Sequence, residues 1–133
     1  MGNANTVKSD RRYTKDHEWA RENKGLVVCG ITQFAVDQLG DVTLVDINVE
    51  PGAPVTQGEP FGSVESVKTV SDLFAPVSGT VKRVNTLLAD QPEIVNEDCW
   101  EKGWMIEIES AQGLDQLLDP AAYSELLDAA AHE

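Results

Sequence analysis

The sequence is poor in basic residues and lacks long hydrophobic runs. Ten Lys and Arg stand against 23 Asp and Glu, a formal net charge of −13. A nucleic-acid backbone would meet a repulsive surface nearly everywhere, so the charge argues against nucleic acid as a partner. No stretch approaches the roughly 18 consecutive apolar residues that a membrane span needs. We therefore expect a globular protein without a transmembrane segment.

Cysteine and histidine are also scarce. Cys29 and Cys99 lie far apart in the sequence, without the close Cys/His pairs of a zinc site or the density of a disulfide scaffold. This usage predicts a reducing compartment. We expect the bacterial cytoplasm, or the mitochondrial matrix if the chain is a processed mature form.

Familiar catalytic motifs are missing. The only histidines are His17 and His132, and the chain contains no Gly-x-Ser-x-Gly, Walker or His-Glu-x-x-His sequence. Cys29 lies in an apolar run and Cys99 lies beside acids that disfavour a thiolate, so neither is a good nucleophile. The sequence therefore predicts a protein that is not an enzyme by itself.

Short runs rich in β-branched residues, broken by glycine and proline, predict an all-β fold with few helices. We predict a hairpin at residues 18–31 with its turn at 23–25, and strands at residues 42–49, 60–67, 69–74, 79–84 and 104–109. In the last strand, alternation predicts Trp104, Ile106 and Ile108 on one face and Met105, Glu107 and Glu109 on the other.

Two segments have helical signals. Thr32 is a suitable N-cap for a short helix over residues 33–39, which Gly40 ends in a left-handed conformation. Asp119 and Pro120 predict the start of a C-terminal helix over about 119–131, with Ala122, Tyr123, Leu126, Leu127 and Ala130 on one face. We expect residues 1–11 to form a flexible polar lead and residues 12–133 to form a single domain.

Lys68 is isolated among acids. It is the only basic residue between Lys24 and Lys82, a stretch that also contains seven acids. A tight hairpin between the strands at 60–67 and 69–74 would place it at the tip of a turn. An exposed amine at a unique position suits covalent attachment, whereas an ordinary surface lysine that pairs with Glu65 is the simpler structural interpretation.

The segment around Lys68 reads VESVKTVSDLFAPVSGTV at residues 64–81, preceded by spaced Gly52, Val55, Gly58 and Phe61. It resembles the modified hairpin of the biotinyl/lipoyl carrier family. Three further segments, residues 13–19, 30–42 and 85–105, extend the similarity over roughly residues 12–130. Val67 and Thr69 flank the lysine, so the chain is most similar to the glycine cleavage H-protein family within that larger group. It departs from this family's common pattern at Phe34, where histidine is frequent.

The resemblance implies a barrel-sandwich hybrid, the lipoyl-domain fold, with lipoate attached to Lys68. It implies a carrier that takes an aminomethyl group from glycine decarboxylase (the P protein) to aminomethyltransferase (the T protein). It also implies delivery of electrons to dihydrolipoamide dehydrogenase (the L protein) and recognition by lipoate-attaching enzymes. We expect a monomer. The expected residues of hairpin recognition are Glu65, Val67, Thr69 and Asp72. Glu18 and Asp72 are also candidates for the acidic wall of a cleft that receives the lipoyl-lysine arm once it carries the aminomethyl group, which we call the loaded arm.

Three alternatives stay open at this point. A biotin carrier would share the hairpin, although the methionines that usually flank its lysine are absent. An H-like protein that stores lipoyl groups or relays them to other complexes would have the same hairpin. A purely structural β domain would leave Lys68 unmodified.

Overall fold

The computed structural model describes residues 7–131, and these form nine strands, four α-helices and one 3₁₀ turn at Leu114–Gln116. The strands are β1 Arg12–Tyr13, β2 Glu18–Asn23, β3 Leu26–Ile31, β4 Val42–Ile47, β5 Pro54–Val55, β6 Pro60–Ser66, β7 Val70–Phe74, β8 Ser78–Val84 and β9 Ile106–Gln112. The helices are α1 Gln33–Leu39, α2 Leu87–Asp90, α3 Ile94–Glu97 and α4 Pro120–Ala131.

The strands form two antiparallel sheets that share one hydrophobic core. The larger sheet has the order β1-β2-β3-β9-β8-β5, and the smaller has the order β4-β6-β7. Buried residues of both sheets, such as Ile106 and Val64, belong to the same apolar cluster. The expected all-β, lipoyl-domain-like fold, with a short internal helix and a C-terminal helix, is confirmed.

The hairpin predicted at residues 18–31 is present as β2 and β3. Asn23 pairs with Leu26, which leaves Lys24 and Gly25 as a two-residue turn. Both turn residues have positive φ, 56° and 83°. Two-residue turns with positive φ at both positions match the right-handed twist of antiparallel strands. Glycine suits such a turn because it adopts a positive φ without steric strain.

Both predicted helices form. The Thr32 hydroxyl caps α1 by accepting a hydrogen bond from the Ala35 N–H. Gly40 ends α1 with φ 79° and ψ −147°, so its φ is positive as expected but its conformation is not left-handed helical. The Asp119 carboxylate accepts from the Ala122 N–H at 2.8 Å and caps α4, whose Tyr123 and Leu127 are buried. The side chain of Ala130 lies outside the described residues.

One expectation about residues 85–109 is wrong. The pattern indicated no helix there, but α2 and α3 are single helical turns. The strand predicted over residues 104–109 is present as β9, shifted to Ile106–Gln112, and Glu107 is buried although it lies on the face opposite Ile106 and Ile108. The reason is that β9 lies between β3 and β8 inside the larger sheet, and the Arg83 guanidinium covers Glu107 at 2.8 Å.

The start of the described chain is packed against the domain. Arg11 is buried, its guanidinium lies 4.6 Å from the ring centre of Trp19, and it donates to the Trp100 carbonyl at 3.0 Å. The packed structure thus includes the last residue of the predicted lead. The division into a flexible lead at 1–11 and a domain at 12–133 otherwise stays a prediction, and residues 1–6, 132 and 133 lie outside the described part. Among the helices of residues 7–131, none combines the length and hydropathy that crossing a membrane requires.

Candidate functional site

Lys68 lies at the tip of the β6–β7 hairpin and is exposed. The turn is organised by Ser66, whose hydroxyl oxygen accepts hydrogen bonds from the N–H groups of Lys68 at 3.1 Å and Thr69 at 3.2 Å. The Ser66 N–H donates to the Thr69 carbonyl at 2.8 Å and closes the turn. A serine that binds the following N–H groups fixes the backbone locally, so the lysine has a defined starting direction.

The hairpin tip is anchored to the connection between α1 and β4. The Val67 N–H donates to the Asp41 carbonyl at 3.1 Å. The Lys68 side chain lies over Gly40, since a Cβ built on that glycine would be 3.2 Å from the Lys68 Cε. Asn96 of α3 holds this connection by donating to the Gly40 carbonyl at 2.9 Å and accepting from the Val42 N–H at 2.8 Å.

A cleft of about 250 Å³ begins beside the hairpin and runs along β7. Its lining includes residues 16–18, Ala35 and Leu39 of α1, and Thr69 and Leu73 of the hairpin. The cleft is therefore partly apolar. Its acidic side chains are Asp16 and Glu18, from residues 16–18, and Asp72 of β7.

Glu18 is the buried acid of this cleft, with 2% of its surface exposed. Its carboxylate accepts from the Thr14 hydroxyl at 2.6 Å and from the Phe74 N–H at 3.2 Å. Burial raises the pKa of Glu18 to about 7, although these two hydrogen bonds act in the opposite direction. Near neutral pH the group therefore exists in both protonation states, and a cation beside it would favour the charged one.

The raised pKa of Glu18 predicts a pH dependence of stability. The unfolded chain releases this proton near pH 4.5, whereas the folded protein holds it up to about pH 7. Between these values the folded state binds more protons, so the free energy of unfolding falls as pH rises, by on the order of 3 kcal/mol, and then levels off. Urea denaturation of the unmodified protein at pH 5 and 7.5 measures this difference. Glu18→Gln is expected to lose this component, whereas Glu22→Gln, at an exposed acid of the same strand, is expected to keep it. An equal pH dependence in all three proteins would contradict the assignment.

The predicted recognition residues lie around the hairpin. Val67 is 69% exposed and Thr69 is exposed, directly beside the lysine. Glu65 is half-buried and pairs in register with Val70, and within the described residues no salt bridge joins it to Lys68. Asp72 is exposed and lines the same cleft as Glu18. The two acids predicted to face the arm are thus brought to one cavity, one of them buried and the other solvated.

The two cysteines are placed as expected for inert side chains. Both are buried, and burial raises the pKa of each thiol, in the case of Cys99 to about 12. Neither forms a thiolate near neutral pH, and neither lines the cleft.

Four residues at or next to the site are absent from the sequence-based set: Thr14, Ser66, Asn96 and Tyr123, whose hydroxyl oxygen lies 2.8 Å from Nδ1 of the cleft residue His17. Ser66 had a local signal, because a serine two residues before an exposed turn residue is typical of such turns. Asn96 and Tyr123 contact partners that are distant in the chain, Gly40 and His17, so no local pattern marks them, whereas Thr14 lies only four residues before its partner Glu18.

Comparison with known proteins agrees with this geometry. Residues 11–130 match the family model described as "Glycine cleavage H-protein". The glycine cleavage system H protein of Anaeromyxobacter sp. (strain K) is 51% identical over 124 residues, which cover 92% of this chain and 96% of that protein. The protein of the same name from Bacillus mycoides (strain KBAB4) is 47% identical over 91% of this chain and 96% of its own. A crystal structure of the H protein from Mycobacterium marinum superposes with a TM-score of 0.84 at 40% identity, covering 92% of this chain and 99% of that one.

The two-sheet fold, with an exposed lysine at a hairpin tip, defines the class of lipoyl-domain-like β-sandwich proteins. Within that class, the chain belongs to the glycine cleavage H-protein family. H proteins are the carrier component of the glycine cleavage system, so the coarse function is that of a lipoyl carrier in glycine cleavage.

Proposed function

We propose that Lys68 carries lipoate in amide linkage. The protein then moves an aminomethyl group from glycine decarboxylase to aminomethyltransferase and passes electrons to dihydrolipoamide dehydrogenase. The observation that carries the proposal is the exposed Lys68 on a serine-organised turn, next to a partly apolar cleft, in a chain of the H-protein family. Bound lipoate supplies a strained disulfide that opens to accept a carbon group and two electrons.

The surroundings of Lys68 fit such an attachment. Within the described residues its amine forms no salt bridge, so acylation would break no ion pair. Its four-carbon stem already lies along the surface over Gly40, towards the α1 side of the cleft. Ser66 and the Asp41 carbonyl fix the backbone at the base of the arm, so that the flexibility is confined to the side chain.

Recognition by partner enzymes is assigned to the surface of the hairpin. Val67 and Thr69 present an apolar and a polar side chain beside the lysine, and Glu65 and Asp72 add negative charge on the two strands. With a net charge of −13, the protein suits partners whose active-site entrances have basic rims. We propose that it acts as a monomer in the bacterial cytoplasm and is not itself catalytic.

The intact mass of the protein purified from its own cells tests the attachment. A lipoyl or octanoyl adduct that maps to Lys68 supports the proposal, a biotinyl adduct indicates a biotin carrier, and an unmodified chain indicates a structural domain. The lipoate relay is tested by incubating the lipoylated protein with a second, unmodified carrier domain and the attaching enzymes. Transfer of the lipoyl group to that domain, without activity in glycine cleavage, would replace the shuttle by the relay.

The acids of the cleft predict protection of the loaded arm. The ammonium of the aminomethyl group is expected to pair with Glu18 and Asp72 while the apolar wall limits water. Glu18→Gln is expected to speed the non-enzymatic release of ammonia and formaldehyde roughly tenfold, because its carboxylate is buried and weakly screened. Asp72→Asn is expected to have a smaller effect, no more than about threefold, since its carboxylate is exposed.

Asp46→Asn is the matched control for these variants. Asp46 is exposed on β4, and Ser63 of β6 lies between it and Asp72 in the register of the smaller sheet. The substitution removes the same charge as Asp72→Asn from the same sheet, but at a residue that does not line the cleft. Release rates that are equal in the parent, Glu18→Gln and Asp72→Asn proteins would remove the protective role.

A further inference from the structure

A chain of buried hydrogen bonds links the cleft to the C-terminal helix. His17 lines the cleft, and its Nδ1 lies 2.8 Å from the Tyr123 hydroxyl oxygen. The same oxygen lies 2.8 Å from the hydroxyl of Thr32. Thr32 in turn accepts the N-cap hydrogen bond from the Ala35 N–H at 3.3 Å. Thr32 and Tyr123 are both fully buried, so each hydroxyl proton needs an acceptor within the protein.

These contacts fix the direction of the hydrogen bonds. Among the described residues, the Thr32 hydroxyl has two partners, the Ala35 N–H and the Tyr123 oxygen. An N–H is not an acceptor, so the Thr32 proton points to Tyr123. The Tyr123 proton then points to Nδ1 of His17. A neutral imidazole that accepts at Nδ1 carries its own proton on Nε2.

The surroundings favour the neutral forms of both rings. Burial lowers the pKa of His17, against an opposing effect of Asp16, and raises the pKa of Tyr123. The Phe34 ring packs on the imidazole with ring centres 4.5 Å apart. The acids that share the cleft with His17 are Asp16, Glu18 and Asp72. An uncharged imidazole does not neutralise these carboxylates, and it does not repel a cationic group.

We propose that Tyr123 is a positioning residue for the arm-binding cleft: it holds His17 as the Nε2–H tautomer, which offers the docked arm a hydrogen-bond donor without positive charge. The inference rests on the proposed attachment of the arm at Lys68. The carboxylates take up the ammonium, whereas the imidazole N–H serves a lone-pair acceptor of the arm, such as a sulfur atom. The C-terminal helix thereby contributes to the cleft without lining it.

The tautomer is measured on the protein without any attached group. We expect ¹⁵N NMR of labelled histidine to show the neutral His17 ring protonated at Nε2, with Nδ1 accepting a hydrogen bond. His132, the only other histidine, is assigned with a His132→Gln variant. Tyr123→Phe removes the hydroxyl and keeps the ring, which stacks on Tyr13 with centres 4.4 Å apart. The pKa of His17 is expected to rise in this variant, because the neutral ring loses the hydrogen bond that favoured it.

Tyr13→Phe is the control, because it makes the same chemical change on the adjacent ring. Its hydroxyl donates to the Lys8 carbonyl and lies outside the chain of hydrogen bonds to His17. We expect Tyr13→Phe to leave the His17 spectrum and titration as in the parent. Urea denaturation of both variants shows whether each remains folded under the conditions of the NMR experiment.

Retention of the loaded group gives the second readout. Tyr123→Phe is expected to release ammonia and formaldehyde roughly fivefold faster than the parent, the effect of one hydrogen bond, whereas Tyr13→Phe retains the parent rate. A neutral His17 with its proton on Nδ1, an unchanged pKa of His17 in Tyr123→Phe, or equal release rates would each overturn the proposal. A chain that accepts no lipoyl group would instead refute the proposed function and the contact with the arm, while the tautomer would still be decided by NMR.

Discussion

The Lys68→Arg variant is expected to lose carrier activity completely while it keeps the fold. Arginine retains a cation at the exposed turn, but its guanidinium offers no amine for an amide bond to lipoate. The turn itself depends on the Ser66 hydroxyl and on backbone groups, none of which the substitution changes. We expect glycine decarboxylation, reconstituted with the three partner enzymes, to fall to the level seen without this protein.

Lys82→Arg is the matched control for this experiment. Lys82 is exposed on β8, which belongs to the larger sheet, whereas the hairpin belongs to the smaller one. The control is expected to be lipoylated and fully active. Both variants are compared with the parent by intact mass and by urea denaturation. Substantial activity of Lys68→Arg, with its fold intact, would remove Lys68 from the mechanism.

Gly62→Ala is expected to be the most destabilising of the glycine substitutions beneath the hairpin. Gly62 lies in β6 opposite Ile47, and a Cβ built on it would lie 2.3 Å from the Asp46 carbonyl oxygen. That oxygen belongs to the backbone of the neighbouring strand, so the clash is relieved only if β4 and β6 separate. We expect a loss of at least about 3 kcal/mol in the free energy of unfolding, measured by urea denaturation.

Ser63→Ala, at the next position of the same strand, serves as the control. Ser63 is half-buried and already carries a Cβ, so its truncation leaves the contact between β4 and β6 intact. We expect a change within about 1 kcal/mol. If Gly62→Ala is as stable as this control, the close approach of the two strands does not limit stability. If the Gly62→Ala protein remains folded at low temperature, we expect lipoylation of Lys68 to fall, because β6 is one of the two strands of the hairpin.

The hairpin was predictable because its signals are local. The β-branched residues around Lys68 and the glycine and proline that interrupt the strands lie within a short segment, and the isolation of Lys68 among acids is read directly from the sequence. The positions of α1 and α4 were predictable for the same reason, since Thr32 and Asp119 cap them with their own side chains. Alternation in β9 gave the two faces of the strand but did not show that Glu107 is buried, because its burial and its pairing with Arg83 depend on a neighbouring strand.

The cleft was only partly predictable. Glu18 and Asp72 were singled out through a family resemblance, and nothing in the sequence around Glu18 shows that its carboxylate is buried. That burial comes from the packing of β2 against the end of β7, where the Phe74 N–H, 56 positions away, meets Glu18. Tyr123 lies 106 positions from His17, so its contact with that residue of the cleft has no local signature.

The sequence by itself determined the class of fold, the capped helices and a lysine at the tip of a hairpin, because these depend on propensities, periodicity and turn chemistry among near neighbours. The tertiary structure decided which acid is buried, which hydroxyl contacts His17 and which glycine allows two strands to approach closely. These properties arise where segments distant in the chain come into contact, since burial, pKa and steric fit depend on every neighbour that surrounds a group.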